Sequence, residues 1–474
     1  WFTWREKFGF AEWLSNVYFD EDLAGLFNLV DFAPDPEVRL RAAMAIDQIA
    51  LNMALNSFRG VFVATHGRTY GEDSRFAEDD NTKIVNFIWF GMRPFTPAMA
   101  RPSRSGASLA TSTYQLPDAV RAIGTDPEGE WENYQTQGAS LADAAAHGVS
   151  HDNFDDGMFF WGMGMYTHPQ VVDLSAQMWE KWDLGSNMFF LGLASFGVKA
   201  AKRGFLDDFF DTFRVASEGA YLDDSHTYTY RTADYILSSV LDRRPGQMGA
   251  QARAWAAGLG GDAIVFTSHP AAVVGGSPGT WTGSASLPRV AQKKNVLIAI
   301  YNPSPGLYIG EYWRRLSTHA WFPSRGFDEV RRAGHWTFGR KGTGYIGLWS
   351  AQAVMWAGAN RDELIAPGIR NVWVVEMGAE RTDGSFDHFV SKLTSAKVAV
   401  GLNLATNYYS PSLGKVEWGW QGPFRVAGAE VPLRRGMRYD NPFVQAVRFG
   451  PEMEVSAGGS LLRLDFAAGE RMAE

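Results

Sequence analysis

The sequence predicts an α+β multidomain chain in which a helical N-terminal half, residues 1–220, precedes a strand-rich antiparallel half, residues 221–474, with a small sub-sheet from about residue 400. Three observations predict it. The stretch from Asp35 to about Phe58 is a well-punctuated helix: Asp35 can cap, Pro36 suits the first turn, Glu37 favours the dipole, and the helix formers RLRAAMAIDQIALNMAL follow. After about Tyr221 the pattern changes to period two, in short runs bounded by turn residues. Neither βαβ alternation nor a parallel crossover is present, so helices and strands segregate.

Taken in order, Leu40, Ala43, Ile46, Ala50 and Met53 recur at three- and four-residue steps and give the first helix one buried face. Further helices fit Thr82–Phe90, Pro117–Ile123, Pro169–Trp182, Asn187–Lys199 and Gly204–Glu218, joined by long loops such as Thr65–Asp80 and Tyr134–Met158. Loops of that length in a compact domain are usually functional. In the second half, strands fit the run from His226, Ala263–Ser268, Asn295–Tyr301, Tyr308–Arg315, Trp336–Gly339 and Tyr345–Ser350. The series continues through Asn371–Met377, Lys415–Trp420, Phe424–Val426, Glu452–Ser456 and Leu461–Phe466. Lys341–Gly342–Thr343–Gly344 reads as a hairpin turn, and one helix, about Ser385–Leu393, interrupts the strands.

Composition narrows the function classes. Aromatic residues make up 14% of the chain, with 18 Trp, 32 Phe and 16 Tyr, more than a core alone requires and suited to clefts for flat ligands such as sugars. A formal charge of −8 with no basic run argues against a nucleic-acid partner. There is no cysteine, which excludes disulfides and thiolate metal sites and is compatible with export. No apolar run reaches the roughly 18 residues that a membrane span needs. The chain begins at Trp1 with no signal-like segment, which fits a processed product whose targeting signal lies outside it.

Four clusters hold the candidate chemistry. In THGRTYGED, His66, Arg68 and Tyr70 are two apart and share one side of an extended chain, placing a base, an anion clamp and an acid on one edge. HGVSHDNFDDGMFFWGMGMYTHP, from His147 to Pro169, brings three histidines, three aspartates and Asn153 together with Trp161 and Tyr166. It mixes ionisable groups with flat apolar ones, as sugar sites do, and His151 and His168 are its candidate bases. In SHTYTYRTADY, Tyr228 and Tyr230 face one side of a strand and Arg231 the other, and the adjacent cation is expected to depress the Tyr230 pKa. LSTHAWFP sets His319 near Trp321. Two lesser sets are His269, Trp281 and Arg289 in a glycine-rich loop, and Gly334–His335–Trp336. Packing alone also accounts for many of these residues. GGSPGTWTG lacks the ending of a phosphate loop, no GxSxG elbow is present, and HExxH does not occur.

An aromatic-rich helical half, an antiparallel strand half and His/Tyr/Arg clusters at loop ends in both together resemble the toroid polysaccharide lyases related to alginate lyase and heparinase II/III. FDEV, GHWTFGRKGTGYIGLWS and SLPRVAQKKNVLIAIY look like central strands of their sandwich. The resemblance implies an (α/α) toroid followed by an antiparallel β-sandwich, and β-elimination across a uronic acid. A base removes the C5 proton once donors neutralise the carboxylate, and an acid protonates the leaving oxygen. It assigns Arg68 or Arg231, with Asn153, to the carboxylate and Tyr70 or Tyr230 to proton transfer, with His66, His151, His168 and His319 as further candidates. The family's Asn–His dyad has a different spacing here, in His151–Asp152–Asn153. Trp89, Trp161, Tyr166, Tyr228, Trp281 and Trp321 are the candidates for sugar binding.

The implied partner is a poly- or oligosaccharide, the implied location extracellular or periplasmic. No cofactor or metal-ligand set is identified, although the loop aspartates leave room for a structural calcium. Two alternatives stand beside the lyase. A glycoside hydrolase on the same scaffold would draw on Asp73, Asp155, Asp156, Asp224 and Asp234. A non-catalytic glycan-binding protein is the other.

Overall fold

Helix Pro36–Asn56 lies at the centre of the fold and forms for the reasons its sequence gives. Pro36 occupies the first turn and the Asp35 carboxylate accepts the Glu37 amide hydrogen at 2.8 Å. The structure is a computed structural model that describes residues 1–100, 103–186, 221–249, 251–272, 281, 285–304, 313–314 and 316–474. The helices expected at Asn187–Lys199 and Gly204–Glu218, and most of the strand expected at Tyr308–Arg315, lie outside these residues.

The helix is buried on every side from Met44 to Asn56, where its sequence predicts one buried face. Helix Tyr18–Phe32 and helix Asp118–Thr125 pack on it from one side. The other side meets a sheet through side-chain hydrogen bonds. That contact explains its buried polar residues. Asn52 accepts from Gln135 at 2.6 Å and from the Tyr439 hydroxyl at 2.9 Å, and the Asn56 carbonyl oxygen accepts from Thr229 at 2.6 Å. Each such bond contributes only about 1 kcal/mol, but a buried polar group left unpaired costs about 1–3 kcal/mol, so the layer fixes the register of helix against sheet.

That sheet has ten antiparallel strands. In spatial order they are Met355–Ala357, Glu363–Pro367, Ser317–Trp321, Ile264–Ser268, Trp255–Gly258, Ile236–Val240, Ser225–Arg231, Trp131–Gln137, Met437–Asp440 and Gln445–Val447. Strand Trp131–Gln137 corrects the expectation of an all-helical first half. Its polar sequence, WENYQTQ, hides a strand whose odd-numbered side chains Asn133 and Gln135 are buried against the helical layer rather than exposed.

Six further antiparallel strands form a second sheet facing the first: Glu329–Ala333, Trp336–Lys341, Gly344–Ser350, Asn371–Ala379, Val296–Tyr301 and Arg289–Lys293. Leu237, Trp255 and Val265 of one sheet share a core with Leu297, Tyr301, Trp373 and Val375 of the other, so the two make a sandwich. The sandwich is polar only where its groups are paired, as where the Trp255 indole donates to Thr267 at 2.8 Å and Trp373 to Thr318 at 3.1 Å. The expected hairpin is present, with Lys341 opposite Gly344 and Gly342 at φ 54°.

The remaining face of the ten-stranded sheet, carrying Ile236, Ile264, Phe266 and Trp321, packs on Phe58, Val61 and Val63 of the helical part. On the far side of the sandwich, helix Phe386–Ser395 and the small sheet that includes Thr406–Ser410 and Gly414–Trp418 cover Ile298, Phe338 and Val374. A three-stranded sheet, Glu452–Ala457, Ser460–Asp465 and Glu470–Ala473, returns to the helical layer, where Arg471 bonds to Asp47. One core therefore runs from Phe8 to Phe466 across the change of pattern at residue 220. The chain is a mixed α+β fold with a β-sandwich. The helices among the described residues do not by themselves establish the expected (α/α) toroid.

Candidate functional site

The segment Thr65–Tyr70 runs beside Gln251–Arg253 and bends at Gly67 and Arg68. The His66 amide donates to the Arg253 carbonyl at 3.0 Å, and Thr69 to Gln251 at 3.0 Å. The bend at Gly67 and Arg68 breaks the extended geometry that would set His66, Arg68 and Tyr70 on one side, and the three lie at different depths. Arg68 and Tyr70 are half-buried, while His66 is 0% exposed. Its ring meets the Leu14 carbonyl and the edge of Phe62, and burial together with the nearby Arg253 drives its pKa well down. A neutral imidazole with no solvent access holds the segment in place and does not reach a substrate, which corrects its assignment as a base.

The N-terminal segment completes the rim. It crosses Gly67 closely enough for the Gly67 amide to donate to the Trp13 carbonyl at 2.7 Å. A Cβ at Gly67 would lie 2.7 Å from the Trp13 ring, so only glycine permits the crossing. The crossing delivers Glu12 to Arg68, with Oε1 2.6 Å from Nε, and Gln251 accepts from the same guanidinium at 3.1 Å. Tyr18, opening the next helix, places its hydroxyl 3.0 Å from that of Tyr70, and the Arg68 guanidinium sits 5.3 Å from the Tyr18 ring centroid.

Burial raises the Glu12 carboxyl to about 7 even though Arg68 opposes the rise. Burial, and then the bond to Tyr70, push the Tyr18 hydroxyl up to about 12. Burial lowers the Arg68 guanidinium, but Glu12 and Tyr70 outweigh it, so Arg68 is a secure cation. Glu12 is consequently a carboxyl that changes charge near neutrality. A carbon-13 titration of its side chain is expected to show a midpoint near 7. Arg68→Ala is expected to move that midpoint upward, and a midpoint in the ordinary carboxylate range would contradict the geometry.

Tyr166 belongs to the same rim. Burial raises its pKa while the Arg68 charge opposes the rise. The Trp161 ring stands 5.8 Å from it, and the Trp161 indole donates to Ser175 at 3.1 Å. His168 lies just beyond, its ring 5.1 Å from that of Tyr221 and its Nδ1 accepting from the Gln170 amide.

A second group adjoins the first. His319 is opposite Ser268 in the sheet register, and its ring stacks on Trp281 at 4.0 Å and 14°. Nδ1–H donates to Glu363 at 2.6 Å, which leaves Nε2 to accept from the Ser268 hydroxyl at 2.6 Å. Helix Gly71–Arg75 leads from Tyr70 to this group, where Arg75 lies 5.4 Å from the Trp321 ring. His319 is 1% exposed and Trp321 is buried, while Glu363 at the end of the chain Ser268–His319–Glu363 is partly exposed.

Tyr230 stands apart. Thr229 bonds to Asn56 on the helical side of the sheet, as does Ser238 to the Thr65 amide, so Tyr228 and Tyr230 project from the other face. Tyr230 donates to Glu130 at 2.5 Å and Tyr228 to Glu132 at 2.7 Å. Burial and then Glu130 raise the Tyr230 pKa, against the expected depression by Arg231. Arg231 points the opposite way, stacked over Trp131 at 4.2 Å and bonded to the Asp126 carbonyl. Tyr228, Tyr230 and Arg231 therefore do not share a site with Arg68 and Tyr70.

Other expected residues have local roles. Asn153 caps the turn Phe154–Asp156, accepting from the Asp155 amide at 3.2 Å and donating to Asp156 at 3.1 Å. His151 lies beside Asp152 at 3.4 Å and joins no other candidate. Trp89 is core, packed with Phe27 and Tyr114. Arg289 is held by Asp242 and Trp418, and His335 donates to the Ser350 carbonyl. Among the proposed acids, Asp224 pairs with His226 and Asp234 with Arg381, while Asp73 is raised to about 6 by burial. Among the described residues no group of three or more His, Cys, Asp or Glu gathers as metal ligands, and no helix is long and apolar enough to cross a membrane. The chain finds no match among protein-family models, curated proteins or solved structures.

Proposed function

We propose that the chain degrades a uronic-acid-containing polysaccharide by β-elimination, from the rim formed by Glu12, Tyr18, Arg68, Tyr70 and Tyr166, with its helical part of the (α/α) toroid type. The observation that carries this reading is a secure arginine cation beside two tyrosine hydroxyls 3.0 Å apart on a half-buried edge. Elimination needs those groups. Arg68 and the protonated form of Glu12 hold the uronate carboxylate and stabilise the charge that spreads into it. Tyr70 in its ionised form, beside the Arg68 cation, takes the C5 proton, the C5–H electrons form the C4–C5 double bond, and the C4–O bond breaks. The departing oxygen takes a proton from the tyrosine pair. Trp161 and Tyr166 offer the apolar face that a sugar ring stacks on. A polymer of this kind is met outside the cell or in the periplasm, where we place the protein.

Glu12, with a pKa of about 7, also suits a general acid, which favours a glycoside hydrolase as the second reading. That reading needs another carboxylate about 5–10 Å away across the bond. A panel of alginate, glycosaminoglycans, ulvan-type and plant polyuronides beside neutral glycans, read by ultraviolet absorbance and reducing ends together, tests both. Absorbance rising with reducing ends on a polyuronide is the expected result. Reducing ends without absorbance would establish hydrolysis, and neither signal a binding protein.

A further inference from the structure

The Tyr230 side of the ten-stranded sheet opens into a cleft of about 510 Å³, lined by Glu130, Glu132, Tyr134, Tyr230, Lys293 and Lys294, among others. We infer that this cleft is a second binding site, separate from the Arg68 rim, for a saccharide that carries a carboxylate. The inference rests on the proposed function only in sharing its ligand class, uronate sugars.

The walls alternate in charge. Lys293 pairs with Glu132 at 2.5 Å, and Arg435 with Asp440 at 2.5 Å while covering the Tyr134 ring at 3.4 Å. Glu130 accepts from Tyr230 and lies 3.7 Å from Arg381. Fixed donors and acceptors facing one hydrated volume suit a ligand rich in hydroxyls. The Tyr134 ring lies tilted against that of Tyr228 at 4.3 Å and forms part of the cleft wall.

Lys294 selects the charge of that ligand. It sits in the two-residue turn between strands Arg289–Lys293 and Val296–Tyr301 at φ 46°, a left-handed position that favours glycine or asparagine. The Tyr228 hydroxyl accepts from its backbone amide at 2.9 Å, which fixes the turn against the cleft wall. Among the described residues its ammonium has no ion pair, unlike Lys293 and Arg435 beside it. A strained lysine with an unpaired cation at a cleft rim fits recognition of a carboxylate better than structure.

The test measures binding of saturated oligouronides and of neutral cello-oligosaccharides by calorimetry to the full chain carrying Arg68→Ala, so that turnover does not consume the probe. Oligouronides are expected to bind, and neutral oligosaccharides to bind more weakly. Adding Lys294→Gly, which relieves the left-handed strain and so preserves folding, is expected to weaken oligouronide binding about tenfold with no fall in Tm. Unchanged affinity on Lys294→Gly, equal affinity for neutral sugars, or no oligouronide binding overturns the inference. Lys294-dependent binding by a protein that eliminates no polyuronide would sink the lyase reading alone. Elimination with binding indifferent to Lys294 would sink this site alone.

Discussion

Tyr70→Phe is expected to reduce turnover of a polyuronide by about 10²–10⁴-fold while leaving the unfolding transition nearly unchanged. The hydroxyl lies on a half-buried edge, and its protein contacts are Tyr18 at 3.0 Å and the neighbouring Arg68. Its removal therefore strands no deeply buried partner and should act on chemistry rather than on folding. Arg68→Ala should cause a comparable loss, since it removes the cation that holds the carboxylate. His151→Ala and Asn153→Ala, which alter only a local turn, should leave kcat/KM unchanged. A Tyr70→Phe protein as active as the parent would remove Tyr70 from proton transfer.

Asp47→Ala is expected to destabilise the protein by about 3–5 kcal/mol, because it strips a buried partner from Arg471. Asp47 is 0% exposed and accepts from Arg471 at 2.6 and 3.0 Å and from the Tyr114 hydroxyl at 2.7 Å. These bonds tie the central helix to the last strand of the chain. Burial nonetheless outweighs Arg471 and Tyr114 in setting the Asp47 pKa, which is raised. The sign follows: the folded state holds this proton more tightly than the unfolded state. The group's stabilising contribution is therefore fullest at low pH and is lost as pH rises through the folded pKa. The pair thus organises the fold more than it stabilises it, and Asp47→Leu with Arg471→Met should recover most of the loss. Thermal unfolding of the single and double variants checks this, and a double variant no more stable than Asp47→Ala would refute it.

Local features of the fold were legible in the sequence because local chemistry sets them. Asp35 and Pro36 announce the central helix, Gly342 the hairpin turn, and the alternation of Tyr228, Tyr230 and Arg231 the two faces of a strand. Strand Trp131–Gln137 was not legible, because its buried face is amide-rich and is satisfied by Asn52 and Asn56 from a distant helix. The candidate site was half legible. Arg68 and Tyr70 stand close together in one short polar segment, whereas the bend that aims them, and the arrival of Glu12, Tyr18 and Gln251 through the crossing at Gly67, leave no local pattern. Tyr230 looked equivalent to Tyr70 in sequence, and only the sheet, which sets them on opposite faces, separates them.

The central claim is elimination at the Arg68–Tyr70 rim, and the mass of the products tests it most directly. Mass spectrometry of a defined oligouronide after digestion is predicted to give two fragments whose masses sum to that of the substrate, one of them bearing an unsaturated end, with Tyr70→Phe giving neither. Fragments that together exceed the substrate by one water would contradict elimination and assign the rim to hydrolysis.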